Sequence, residues 1–217
     1  PRDCGVDRTK GETGFCGVTQ KILVARAALH PWEEPCISGE RGSGTVFFSG
    51  CPLGCIFCQN HTIAKGLYGV EVTVQELSEI FLSLAKKGAH NINLVTPTQY
   101  IPQIREALLL AKKEGLGIPV VFNSSGYEKA SSLKMLEGLI SVYLPDFKYV
   151  DKTLAKAYSF LPSYKEEALE AIKEMFRQTG PPVFDDQGML LQGTLVRHLS
   201  LPGSLGDSKD VLELLVE

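Results

Sequence analysis

No run in this sequence approaches the roughly 20 consecutive apolar residues that a bilayer-spanning helix requires, which argues against a membrane protein. No charged segment followed by an apolar one opens the chain, as a secretory signal would, so a cytoplasmic location is expected. The sequence starts at Pro1 instead of Met and stops at Glu217 inside a helical pattern, as a fragment would. A basic stripe is missing too. The net charge of −3 is spread over mixed stretches such as Lys112-Lys113-Glu114 and Lys165-Glu166-Glu167, which read as solvated helix faces and argue against a nucleic-acid partner. No cysteine follows Cys58, so the second pair that completes a structural zinc site is lacking, and the four histidines (His30, His61, His90, His198) are scattered.

What is present is an ordinary globular composition, 44% hydrophobic and 22% charged over 217 residues, enough for one domain with a substantial core. A disulfide framework belongs to short secreted chains with small cores. Here three of the six cysteines fall within eight positions, too close to staple distant elements, so metal or redox chemistry is the better reading.

From about residue 45 strands and helices alternate. Thr45 to Ser49 reads as a first strand. A helix follows from Val74 to Lys87, opened by a Thr73/Glu76 capping box and closed at Gly88. Asn91 to Val95 is a second strand and Ile101 to Lys113 a second helix; Pro119 to Asn123 is a third strand and Tyr127 to Glu137 a third helix. Leu139 to Leu144 gives a fourth strand, followed by helical material from Asp151 and from Lys165 to Gln178. Val183-Phe184, a turn at Asp185 to Gly188, and Met189 to Leu201 form a hairpin whose second arm is the fifth strand; Ser208 to Val216 opens a last helix. Such alternation implies parallel βαβ units. Five such units make either an open doubly wound sheet or a partial barrel, which periodicity does not decide; the fold expected is an α/β partial, open parallel β/α barrel of five to six units over residues 45–217, its C-terminus truncated. Residues 1–44 are expected to be a loop-rich N-terminal extension packed against it.

Polar residues gather where parallel folds bind ligands, at the carboxyl ends of strands: Cys51 after the first, Thr96 after the second, Asn123 and Ser125 after the third, Asp146 and Lys148 after the fourth, Arg197 and His198 on the fifth. The loop from Cys51 to Cys58 has a CxxxCxxC spacing. Thiolates are the ligands iron–sulfur clusters favour, and a cubane cluster takes four, so three local cysteines leave one iron open to chelate a small molecule. The competing reading is a zinc loop or buried free thiols.

At Cys51, Cys55 and Cys58 the chain resembles the radical S-adenosylmethionine superfamily. The stretch Gly42 to Asn60, with Asp146-Phe147-Lys148 and Val196-Arg197-His198, is similar to the activating enzymes of glycyl radical enzymes, and most to the branch called pyruvate formate-lyase activating-like. The resemblance extends to Pro1–Arg8 and Gly11–Cys16. It implies that the three cysteines hold a 4Fe-4S cluster whose open iron binds S-adenosylmethionine. One electron would then release a 5′-deoxyadenosyl radical that abstracts hydrogen from the substrate. It also implies a protein substrate such as a glycyl radical enzyme, an electron donor such as flavodoxin or ferredoxin, and anaerobic working. Two departures stand out. The Gly-Gly-Glu segment that meets the cofactor amino group in many members is replaced at the end of strand two by Val95-Thr96-Pro97-Thr98, and the Asp-Leu-Lys of the activating enzymes appears as Asp146-Phe147-Lys148.

The remaining candidates each carry two readings. Asn123, Ser124 and Ser125 suit the ribose or carboxylate of the cofactor, or a cap and turn before a helix. Asp146 and Lys148 face the same way on an extended strand end, as cofactor ligands or as a mutually satisfied pair. Arg197 suits a bidentate contact to the cofactor carboxylate, while His198 reads as packed and singly bonded. Asn60 and His61 are positioned to shape the surroundings of the cluster. Cys4 and Cys16 read as part of a truncated second metal site or as free or paired thiols; Cys36 reads as a small buried hydrophobe. Rival functions are radical modification of another protein or of a small molecule, and a non-catalytic iron–sulfur or zinc sensor or scaffold. An unclosed barrel favours a macromolecular substrate.

Overall fold

The alternation of strand and helix builds one sheet. The computed structural model describes residues 2–65 and 68–216; Pro1, Gly66, Leu67 and Glu217 lie outside these, including the Pro1 that opens the N-terminal resemblance. In chain order the elements are β1 (Ile22–His30), α1 (Pro35–Ser38), β2 (Ser43–Phe48), α2 (His61–Ala64), β3 (Val70–Val72), α3 (Val74–Lys86), β4 (Ile92–Val95) and α4 (Ile101–Lys113). They continue with β5 (Val120–Ser124), α5 (Ala130–Leu133), β6 (Val142–Pro145), α6 (Lys152–Ser159), α7 (Tyr164–Thr179), β7 (Val183–Phe184), β8 (Leu190–Thr194) and α8 (Leu205–Val216). The eight strands lie in the order β3-β1-β2-β4-β5-β6-β8-β7. The five central strands β2, β4, β5, β6 and β8 are parallel, β1 and β3 extend one edge antiparallel, and β7 closes the other as a hairpin with β8. The result is an open β/α barrel with five parallel strands, as expected. No helix of the described residues is long and apolar enough to cross a membrane.

Period-2 alternation divides the strand residues between two cores. Val46, Phe48, Leu94, Phe122 and Tyr143 pack outward against Leu77, Phe81, Ile104 and Leu108 of the helices. Val121, Val142, Leu144 and Leu190 pack inward around Ile37 of α1. Ile37 therefore plugs the floor of the barrel. Its carbonyl accepts a bond from the buried Asn91 amide (2.7 Å), whose oxygen accepts from the Ser43 hydroxyl (2.5 Å). The α3 capping box is present as expected, Thr73 Oγ1 accepting from Glu76 N and Glu76 Oε2 accepting from Thr73 N.

The short α1, α2 and edge strand β3 are additions to the elements expected from the sequence, and four further elements differ from it. Residues 22–30 are a nine-residue strand, not loop: a register shift between Val24 and Arg26 breaks the alternation that would have marked it. The helix expected over Tyr127 to Glu137 shrinks to α5 and a 3₁₀ turn at Lys134–Leu136. Tyr127 stacks on Tyr164, and the Glu128 carboxylate accepts from Thr98 and Ser124, which holds the preceding residues out of the helix. The fifth strand proper stops at Thr194, although Leu195 and Arg197 still donate to Tyr143 and Pro145 of β6. Helix α8 begins three residues before Ser208.

Candidate active site

The carboxyl ends of β2, β4, β5 and β6 open into a cavity of about 1120 Å³. All nine residues singled out in the sequence line it: the thiols Cys51, Cys55 and Cys58, and the polar and charged Thr96, Asn123, Ser125, Asp146, Lys148 and Arg197. Of the lesser candidates, Asn60, Ser124 and His198 join them. His61 begins α2 and points elsewhere, exposed. Cys36 packs against the inner core. Cys4 and Cys16 line a second, smaller cavity of about 360 Å³ together with Arg2 and Arg8.

The cysteine wall is held by backbone and small contacts. Leu53 N–H donates to Cys51 Sγ (3.4 Å), Ile56 N–H to the Tyr158 carbonyl (2.9 Å), and Cys55 Sγ lies 2.9 Å from Ser159 Oγ. All three thiols are free. Burial pushes Cys51 up to about 12 and raises Cys58 as well, so each keeps its proton until a metal displaces it. Among the described residues no three His, Cys, Asp or Glu side chains converge as ligands of a single ion do. A cubane cluster asks something else, since each thiolate takes a separate iron. Three unpaired thiols on one wall of a cavity this size suit that donor set.

A second wall of the cavity is charged. Lys148 Nζ donates to Asp146 Oδ2 (2.6 Å), and Arg197 donates to Asp146 Oδ1 through Nε (3.0 Å) and to Asn123 Oδ1 through Nη2 (2.6 Å). Arg197 Nη1 also sits 3.6 Å from Glu33 and 3.5 Å from Glu34. Burial pulls the Lys148 and Arg197 values down, but Asp146 together with Cys55 at Lys148, and Asp146 together with Glu34 and Glu33 at Arg197, raise them by more, and both stay charged. Burial raises Glu33, against the pull of Arg197. The wall thus sets three carboxylates, Asp146, Glu33 and Glu34, against two cations, and Glu34 Oε2 is buried without a hydrogen-bond partner. Ser125 Oγ is likewise buried and unpartnered, on a residue that lines the cavity.

Two backbone features set this geometry. Gly126 has φ +73, and a Cβ there would lie 2.2 Å from the Asp146 carbonyl, so only glycine lets the turn after β5 pass the end of β6. Thr96 has φ +57, a strained value for a β-branched residue. It is held by its N–H to the Asn123 carbonyl (3.0 Å) and by Gln99 Nε2 donating to its own carbonyl (2.8 Å). His198 does not fit the singly bonded reading: Nδ1 is 2.8 Å from the Phe147 carbonyl and Nε2 is 2.9 Å from Ser208 Oγ, tying β8's extension to α8.

Glu33 and Glu34 were not foreseen as site residues. Their signal was the segment His30-Pro31-Trp32-Glu33-Glu34-Pro35, two acids fixed between prolines, which arches from β1 to α1 along the cavity; Trp32 beside them is 83% exposed.

The family model described as the radical SAM superfamily matches residues 45–193. An uncharacterized protein of Methanocaldococcus jannaschii is 26% identical over 211 residues, covering 93% of this chain and 56% of that relative. The chain therefore spans about half the length of the curated relative it matches.

Proposed function

The chain belongs to the radical S-adenosylmethionine superfamily, and from that premise we propose that it is an activating enzyme that abstracts hydrogen from a loop of a partner protein of the glycyl radical class. Membership implies an enzyme with a 4Fe-4S cluster that uses S-adenosylmethionine. Bound together, these supply one-electron cleavage of the cofactor and the hydrogen-abstracting species; position, orientation and exclusion of water come from the protein.

The observation that carries the reading is the meeting of two sets in one cavity, three thiols and a charged, hydrogen-bonding group. Cys51, Cys55 and Cys58 would hold the cluster. Ser125 Oγ, unpartnered, and Asn123 would bind polar groups of the cofactor, with Thr96 lending the close approach of its backbone. Asp146 and Lys148 would act as a fixed dipole on the same side. Arg197 has its short bonds committed to Asp146 and Asn123, so a cofactor carboxylate would displace its longer contacts to Glu33 and Glu34.

The protein-substrate part of the proposal is supported by the unclosed sheet, whose outermost strands β3 and β7 leave a side open, and by Trp32 exposed at the rim. A donor such as flavodoxin or ferredoxin would deliver the electron. The test is anaerobic reconstitution with iron and sulfide, followed by reduction with S-adenosylmethionine present. We expect a cubane absorption spectrum, slow 5′-deoxyadenosine formation, and stimulation by the protein fraction of a cell extract. Stimulation by the small-molecule fraction alone would sink the activating role, and no cofactor cleavage at all would sink the reading as a whole.

A further inference from the structure

The end of α6 is docked on the cysteine loop by several contacts. Ile56 N–H donates to the Tyr158 carbonyl, Phe57 packs edge-on against the Tyr158 ring at 6.4 Å, and Arg2 donates to the Ser159 carbonyl (3.3 Å). This docking brings two buried hydroxyls into line with a thiol. Ser159 Oγ is 2.9 Å from Cys55 Sγ, and the Tyr149 hydroxyl is 3.0 Å from Ser159 Oγ. Ser159 and Tyr149 are 0% and 1% exposed, and the Tyr149 hydroxyl has no other hydrogen-bond partner among the described residues.

We propose that Ser159 and Tyr149 form a two-step hydrogen-bond relay that sets the reduction potential of the cluster through Cys55. The inference rests on the cluster reading above. In the free thiol either partner can donate, but a cysteine bound to iron is a thiolate and only accepts. The Ser159 proton is then committed to Cys55, which leaves the Ser159 oxygen as acceptor, and the Tyr149 phenol supplies the donor. Both bonds therefore point toward the sulfur. In a dry setting each polarises the next, so the relay acts as a directed dipole on one cluster ligand. Reduction adds negative charge to the cluster, and donors to its sulfurs stabilise that charge, so the relay raises the potential and eases electron entry. Neither residue touches the substrate; both act through Cys55.

The experiment is a redox titration of the anaerobically reconstituted protein, read by electron paramagnetic resonance of the reduced cluster. Ser159→Ala should lower the equilibrium constant for reduction about tenfold, roughly 59 mV for one electron. Tyr149→Phe keeps the ring in its packing and should lower the potential in the same direction by less. The double variant should fall no further than Ser159→Ala, because Tyr149 acts only through Ser159. Unchanged or raised potentials in both single variants, or a Tyr149→Phe shift that persists in the Ser159→Ala background, would overturn the relay. If Ser159→Ala does not load a cluster, Tyr149→Phe alone decides. A wild-type protein that forms no cluster would fail the earlier reading, a result distinct from intact clusters with equal potentials.

Discussion

The two walls of the cavity are built in opposite ways. The cysteine wall comes from eight consecutive residues and is held mainly by bonds from backbone N–H groups. The charged wall is assembled from the ends of β5 and β6, the extension of β8 and the arch after β1, and its charged members Asp146, Lys148, Arg197, Glu33 and Glu34 are already paired with one another, with Asn123 joined to Arg197. A local wall tolerates changes elsewhere but fails at once when a ligand is lost. A distributed wall loses stability when any member is removed, because the partners left behind are buried charges.

The sharpest way to break this comparison is at the cysteines. Cys51→Ala, Cys55→Ala or Cys58→Ala should each abolish cofactor cleavage, since each supplies the thiolate for a separate iron, while Cys36→Ala, which removes a sulfur from the inner core, should leave it intact. Iron content and 5′-deoxyadenosine yield are the measurements. A Cys51→Ala protein with a full cluster and normal turnover would remove the functional distinction between the two walls.

On the charged wall, Arg197→Ala leaves Asp146 to Lys148, Glu33 to the Asn123 amide (3.3 Å), and Glu34 without its cation. With the Arg197 side chain 30% exposed, the cost belongs at the low end for a broken buried pair, about 3 kcal/mol, read from the denaturant midpoint. Cluster loading should survive, and cofactor affinity should fall roughly ten- to a hundredfold for the lost charged contact. Arg197→Lys should recover only part of either, as an ammonium cannot span Asp146 and Asn123 together. Wild-type stability in Arg197→Ala would show that the wall is not the coupled unit its contacts describe.

How legible each wall was follows from the same contrast. The CxxxCxxC loop could be read directly because its chemistry lies in the spacing of neighbours. Thr96, Asn123, Ser125, Asp146 and Lys148 could be placed because strand ends in a parallel sheet share one side. Glu33 and Glu34 could not: they sit on an arch whose approach depends on β1, and the bulge near Val24 hid that strand. Ser159 was equally silent, a serine at a helix end with nothing in its sequence neighbourhood to join it to Cys55. The short α5 was overread because periodicity takes no account of Glu128, whose tertiary bonds to Thr98 and Ser124 override helical preference.

Glu128 also offers a milder probe. It lies behind the cavity on the turn that carries Ser125, and burial raises its carboxyl to about 7 in spite of those two hydroxyl donors. The folded-state value lies above the unfolded one, near 4.5, so the folded protein binds more protons between the two. Its stabilising effect is complete below about pH 4.5 and is lost as pH rises through 7, for a total of about 3 kcal/mol. Glu128→Gln, which cannot ionise, should flatten the fall in unfolding free energy between pH 5 and 8. A slope unchanged from wild type would assign the pH dependence to other groups.

The smallest expected effect lies where the two walls meet the backbone. Thr96 stands in the left-handed region at φ +57, where a side chain branched at Cβ is disfavoured by about 1–2 kcal/mol and glycine is not. Thr96→Gly should relieve that strain but give back part of the gain through the greater freedom of the unfolded chain, leaving a net stabilisation of about 1 kcal/mol. The bonds from Thr96 N–H to Asn123 and from Gln99 to the Thr96 carbonyl use backbone atoms and survive the change. The two observables should therefore separate. If the threonine is kept for packing alone, stability rises and cofactor affinity is unchanged; if its strain and side chain shape the cofactor site, stability rises while affinity falls. A loss of stability would show that Thr96 contributes more through its side-chain contacts than it costs through its backbone, and would place this strand end with the coupled charged wall.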